Sequence, residues 1–184
     1  MRGFIAFEVP SHVKVNLSKA IHTMSSKMDG VKWVNDAGLH ITLKFLGEIE
    51  EGMAGRIREG LAYLEEKYPP FTLVLGGVDA FPSKKKARVI VVGLKNGIDI
   101  VGNIFNDIEN NLEELGFGRE KRAYTPHITL GRRKIPAPLL EKTIARVDEM
   151  EFLVDSMVMF RSTLTSKGAL YDPVWKIKLG GKNP

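Results

Sequence analysis

The stretch AGLHITLKFLGE (residues 37–48) carries a tetrapeptide, HITL, that returns in YTPHITLGRRK (residues 124–134), in a chain with only four histidines. Both copies are rich in β-branched and large apolar residues, so each reads as a strand. Side chains on a strand alternate between faces with a rise of ~3.3 Å per residue. His40 and Thr42 therefore share one face about 7 Å apart, and Ile41 and Leu43 share the other. His127 and Thr129 repeat the arrangement against Ile128 and Leu130. The aliphatic pairs suit a buried face, which leaves each histidine and threonine lining a groove or facing solvent. Lys44 falls by the same alternation on the face of His40 and Thr42, and Arg132 and Arg133 follow the second motif.

Outward from the motifs, the order of elements repeats. GFIAFEV near the start reads as a strand, and the next segment places Val13, Leu17, Ile21, Met24 and Met28 at helical spacing behind Ser11, a candidate N-cap. A short VKWV and the first HITL strand follow. Then come a helix with Met53, Ile57, Leu61 and Leu64 on one stripe and, past Pro69 and Pro70, the strand FTLVLGGVDAF. The second half runs through ARVIVVGL, a helix with Val101, Ile104, Phe105, Ile108, Leu112 and Leu115 in phase, the second HITL strand, and a further helix around Leu140, Ile144 and Val147. EFLVDSMVMF, read as one strand running to Phe160, and VWKIKLG close the chain. The two histidines thus occupy matching steps of two β-α-β-α-β units, which implies a duplication with lobes related by an approximate two-fold axis. The adjacency of VKWV and HITL, strand next to strand, argues for antiparallel pairing. The expected fold is α+β and bilobal, each lobe an antiparallel sheet with flanking helices, around a central cleft.

With 184 residues, 43% hydrophobic and 27% charged, the chain is expected to form one unit over residues 1–184. No apolar run approaches the ~20 residues of a membrane span, and Glu8 and Pro10 interrupt the N-terminal apolar run before signal-peptide length. A cytoplasmic location without membrane association follows as the expectation. The absence of cysteine removes disulfides, thiolate nucleophiles, zinc fingers and iron–sulfur clusters from consideration. A net charge of +5 favours an anionic partner, nucleic acid first.

Two imidazoles and two hydroxyls on one groove make a metal-free kit for phosphodiester chemistry. With ordinary pKa values near ~6.5, one histidine can be neutral and take a proton from the attacking oxygen while the other is charged and protonates the leaving oxygen; each transfer is typically worth ~10²–10⁴ in rate. The threonine hydroxyls would hydrogen-bond non-bridging phosphate oxygens as charge grows on them. The residues alone do not say which histidine is acid and which is base.

Other features read more plainly. His12 and His22, at a helix start and within a helix, are structural or exposed. Met24, Met28, Met53 and Met150 fill core positions. A metal site would need a third ligand beside the motifs, and none accompanies them. Lys84, Lys85 and Lys86 form a solvated loop. RGFIAFEV, from Arg2, partly matches the RNA-binding strand signature whose aromatics stack on bases, but fails at Ile5 and Ala6, so Phe4 and Phe7 are assigned to packing. No GxxxxGK[ST] phosphate loop is present, which leaves ATP-driven ligation without a site.

MRGFIAFEVP, HITLKFLGE and YTPHITLGR together resemble the RNA 2′,3′-cyclic phosphodiesterase family, also called 2′-5′ RNA ligases, of the 2H phosphoesterase superfamily. The resemblance covers essentially the whole chain. It implies a bilobal fold with one histidine from each lobe and no metal or other cofactor, acting on RNA 2′,3′-cyclic phosphate ends, tRNA fragments among them, as a monomer. Carried over by motif, His40 is the proton donor to the 3′-oxygen, His127 the proton acceptor that activates water, and Thr42 and Thr129 hold the phosphate. Lys44, Tyr124, Arg132 and Arg133 are further candidate contacts to RNA or phosphate. The family pattern stresses Arg132, whereas strict alternation puts Arg133 on the His127 face, so a bend near Gly131 is needed. The alternatives are a non-catalytic RNA-binding module, or the same chemistry on a small cyclic nucleotide or a 2′-5′ oligonucleotide.

Overall fold

The computed structural model describes residues 1–166 and 168–181. Its order is β1 (Arg2–Glu8), α1 (Ser11–Ser25), β2 (Val31–Trp33), β3 (His40–Glu48), α2 (Glu51–Leu61), α3 (Leu64–Lys67), β4 (Phe71–Phe81), β5 (Ala87–Asn96), α4 (Ile98–Glu114), β6 (His127–Ala137), β7 (Glu151–Val154), β8 (Ser156–Thr165) and β9 (Gly168–Lys178). The strands form one antiparallel sheet in the order β7-β4-β5-β6-β3-β1-β8-β9, with β2 added against β6. Outward from the β6–β3 seam, β5 answers to β1, β4 to β8 and β7 to β9. The lobes expected from the repeat are thus halves of a continuous sheet, joined at Ile41 opposite Ile128.

One face of this sheet carries the core. Val13, Leu17 and Met24 of α1, Ile57 and Leu61 of α2, and Val101, Ile104, Ile108 and Leu112 of α4 are fully buried. They cluster with Ile5, Phe7, Ile41, Leu43, Ile90, Val92, Ile128 and Leu130. The intervening strand residues, His40, Thr42, His127 and Thr129 among them, face the other way, as the alternation requires.

The repeat is less complete than its sequence suggests. β2 pairs with β6, Lys32 opposite Arg132, and not with the adjacent HITL strand, so the first lobe lends an edge strand to the second. The helix expected around Leu140, Ile144 and Val147 is absent; only a 3₁₀ turn at Glu141–Thr143 forms there. Pro136 and Pro138 just upstream bias Ile135 and Ala137 to extended backbone, and Leu139 bonds its N–H to the Lys84 carbonyl at 2.7 Å. EFLVDSMVMF is two strands. β7 pairs with β4 and β8 with β1, so the chain passes from one lobe to the other around Asp155. The N-cap of α1 is Pro10, with no side-chain cap bond, and Ser11 is the first helical residue. Among the described residues no helix is long and apolar enough to cross a membrane.

Candidate active site

Strands β3 and β6 meet at a single register position, Ile41 opposite Ile128. Read onward from that one pair, the antiparallel register points His40 toward Thr129 and Thr42 toward His127. The two motifs thus meet at one seam, where His40, Thr42 and Thr129 share a cleft.

A matched pair of bulges sets the facing of the residues just past each motif. Ile5 pairs with Lys44 and Ala6 with Thr42, which leaves Leu43 unopposed; Ile90 pairs with Gly131 and Val91 with Thr129, which leaves Leu130 unopposed. One extra residue reverses the facing of everything downstream. Arg132 thereby reaches the cleft wall, meeting the need for a bend near Gly131. Gly131 turns beneath β2, where a Cβ would come within 2.6 Å of Val31 and 2.9 Å of Trp33, so no larger residue fits without movement.

The same slip corrects two expected contacts. Lys44 turns away from His40 into the helical side, 8% exposed. Its Nζ lies 2.5 Å from Glu109 Oε1 and donates to the Gly118 carbonyl at 2.7 Å. Arg133 also points away and donates to the carbonyls of Ala137 and Pro138. Tyr124 is committed as well: its hydroxyl donates to the Thr42 carbonyl at 2.9 Å and its ring stacks on Phe105 at 4.1 Å. Burial raises the Tyr124 phenol above its ordinary pKa. These side chains brace the strands that carry the histidines and do not line the cleft.

The cleft itself, about 270 Å³, is walled by His40, Thr42, Thr129 and Arg132 together with Arg2, Phe4, Val34, Phe45, Ser162, Leu164 and Tyr171, among others. His127 stands beside this wall, close enough for its charge to act on His40. Phe45, 66% exposed, occupies the place in the first lobe that Arg132 holds in the second. The sequence reading missed Phe45, because strict alternation buries it; the close succession of Leu43 and Leu46 around it was the available signal. It also assigned Phe4 to packing without seeing that the packing is against His40, at 4.8 Å. Phe160 and Tyr171 complete the surroundings of His40, the latter edge-on at 5.5 Å. Phe7 is wholly buried, so the strand does not display its two phenylalanines as an RNA-stacking surface.

The two imidazoles are held differently. Burial lowers the His40 pKa from its ordinary value to about 4; a backbone hydrogen bond at Ala37 opposes this, and the charges of Lys14, Arg132 and His127 add to it. Burial also lowers His127, against a hydrogen bond to the Thr125 carbonyl and with help from Arg132. His127 Nδ1 lies 2.7 Å from that carbonyl. Because a carbonyl only accepts, the ring proton sits on Nδ1 and Nε2 keeps a free lone pair. Phe81 packs edge-on against the ring at 5.0 Å. Among the described residues no group of three His, Asp or Glu side chains gathers as a metal site.

With the paired motifs, their bulges and the shared cleft in view, known proteins can be set beside this one. The LigT like Phosphoesterase family matches the chain twice, over residues 7–91 and 92–171. This chain belongs to that family. The double match divides the protein between β5 strand residues, near the boundary that the repeated HITL implies. The RNA 2′,3′-cyclic phosphodiesterase of Thermotoga maritima is 33% identical, over 98% of this chain and 97% of its own length. The RNA 2′,3′-cyclic phosphodiesterase of Methanocaldococcus jannaschii is 35% identical, over 95% and 98%. The crystal structure of TT0787 from Thermus thermophilus superposes with a TM-score of 0.83 over the whole of both chains at 30% identity.

Proposed function

We propose that this LigT-like phosphoesterase hydrolyses RNA 2′,3′-cyclic phosphate ends to 2′-phosphomonoesters, residues 1–184 acting as one catalytic unit of two lobes. The observation that supports this is the β3–β6 pairing at Ile41 and Ile128, which draws the two motifs together, with His40, Thr42, Thr129 and Arg132 on one cleft and the His127 charge acting on His40. Water attacks phosphorus in line with the 3′-oxygen. His127, with Nε2 free, takes the proton of the water; His40 gives a proton to the departing 3′-oxygen. Thr42 and Thr129 donate to the non-bridging oxygens, and the Arg132 guanidinium offsets the charge that accumulates on them. Phe45 offers a face on which the terminal base can stack.

His40 must carry a proton to act as the acid, and burial disfavours that in the empty cleft. The phosphate supplies what is needed, since an anion beside an imidazole favours the charged form and raises its pKa. An RNA 5′-hydroxyl in place of water would give a 2′-5′ linkage by the same transfers, so ligation and its reversal are available to the same groups. The reading asks for no metal and no other cofactor.

A short RNA ending in a 2′,3′-cyclic phosphate, incubated in EDTA with wild type, His40→Ala and His127→Ala, tests this directly. The expected product is a 2′-phosphate, formed by wild type and lost in both variants. Loss of wild-type turnover on chelation, or retention of it in either variant, would overturn the mechanism. Turnover of a nucleoside cyclic phosphate but not of RNA would favour a small cyclic nucleotide as substrate.

A further inference from the structure

Beyond the cleft, β2 and β6 carry a feature that the reaction does not use. Lys32 stands directly opposite Arg132 across the ladder, and Lys134 follows two residues further along β6, where the pairing with β5 slips between Arg132 and Ala137. All three are exposed. Like charges placed directly opposite each other destabilise a sheet, yet among the described residues none of the three has an acidic partner. The row starts at the cleft, because Arg132 is on its wall. On the opposite side the wall is mainly apolar and aromatic, with Phe4, Phe45, Leu164 and Tyr171, beside Arg2 and Ser162. A polyanion entering the cleft thus meets the Arg2 guanidinium on β1 and a row of cations toward β2 and β6. Two residues of strand span at most ~7 Å, so Arg132 and Lys134 lie within about the distance between successive phosphates of an extended single strand.

We propose that Lys32 and Lys134 form a track for the phosphodiester backbone leading into the cyclic end, so that the enzyme favours an oligonucleotide over a mononucleotide. This rests on the RNA-end reading above. The contacts are to phosphate and not to bases, so the track confers length dependence without sequence preference.

The test compares kcat/KM on a nucleoside 2′,3′-cyclic phosphate and on a short RNA with the same end, across a salt series, for wild type, Lys32→Ala/Lys134→Ala and the charge-keeping Lys32→Arg/Lys134→Arg. Wild type should favour the RNA, and that preference should fall as salt rises. The alanine pair should lose the preference, with a log–log salt slope shallower by about 1.4, at about 0.7 for each phosphate contact removed from a single strand. Its turnover of the mononucleotide should be unchanged, and the arginine pair should behave as wild type. Equal losses on both substrates, or a wild type indifferent to length and salt, would refute the track while leaving the cyclic phosphodiesterase reading intact. If wild type turned over neither substrate, that reading would fall instead. Fluorescence anisotropy with the same single-stranded RNA would then decide the track: lysine-dependent, salt-sensitive binding would support it, and its absence would end it.

Discussion

The two HITL copies are identical as tetrapeptides and unlike as sites. Around His40 stand Phe4, Phe160 and Tyr171, with Phe45 on the cleft wall beyond them. Around His127 the matching strand positions hold Val89 for Phe4, Phe81 for Phe160 and Arg132 for Phe45, by the register of β5 with β4 and β6. Tyr171 comes from β9, whose counterpart β7 is only four residues long. The first lobe is consequently the aromatic, more deeply buried half of the cleft, with Arg2 at its wall, and the second sets Arg132 where the first has Phe45. A repeated motif reproduces strand, register and bulge; the strands beside it decide how each imidazole titrates and which part of a nucleotide it meets. That difference gives a direction to a site whose motifs are nearly symmetric.

Removing either imidazole should have the largest effect. His40→Ala and His127→Ala should each lower kcat by about 10²–10⁴, read from product formation under conditions where folding is verified by circular dichroism. A variant that kept near wild-type kcat would show that one lobe suffices, and the pairing argument would fail.

The second contrast is beneath the motifs. Lys44, paired with the 2% exposed Glu109, is a buried post in the first lobe, where the second has Gly131. Glu109 also accepts from the Glu120 N–H at 2.6 Å, which ties the segment before His127 to β3. Glu109→Ala leaves an unpaired buried ammonium, and chemical denaturation should register a loss of about 3–5 kcal/mol. Lys44→Met/Glu109→Met should recover most of it. No recovery in the double variant would mean that the hydrogen bonds to Gly118 and Glu120, and not the unpaired charge, dominate.

A smaller effect separates the histidines electrostatically. The Arg132 charge lowers both pKa values, so Arg132→Ala should raise both, and inorganic phosphate should raise both in wild type. Imidazole NMR titration reads each ring separately. A downward movement with phosphate would remove the proposed source of the acid's proton.

The smallest effect is on stability. The folded His40 pKa of about 4 lies below its ordinary 6.5, so the unfolded chain binds a proton at this residue first as pH falls. His40 is then a destabilising contribution that grows from about pH 6.5 down to about pH 4 and is constant below. His40→Phe should flatten that part of the Tm–pH curve, and His127→Phe should do so less. Curves of equal steepness for the two variants would erase the asymmetry.

The sequence by itself determined the repeat, most of the strands and helices built on it, and the shared facing of His40 with Thr42 and of His127 with Thr129, because alternation and apolar periodicity are local and survive in any tertiary setting. The residues past each motif were not legible in the same way. Gly131 hinted at the bulge after the second motif, and only the close succession of Leu43 and Leu46 marked the equivalent slip that buries Lys44 and exposes Phe45. Likewise, the edge pairing of β2 with β6, the break around Asp155 that sends β7 and β8 to opposite lobes, and the irregular path through residues 139–147, with its single 3₁₀ turn at Glu141–Thr143, depend on contacts with distant segments. Those choices, and with them the aromatic surroundings that depress His40, were decided by the tertiary structure: a strand's partners and a side chain's burial depend on contacts with segments distant in sequence, which no local pattern encodes.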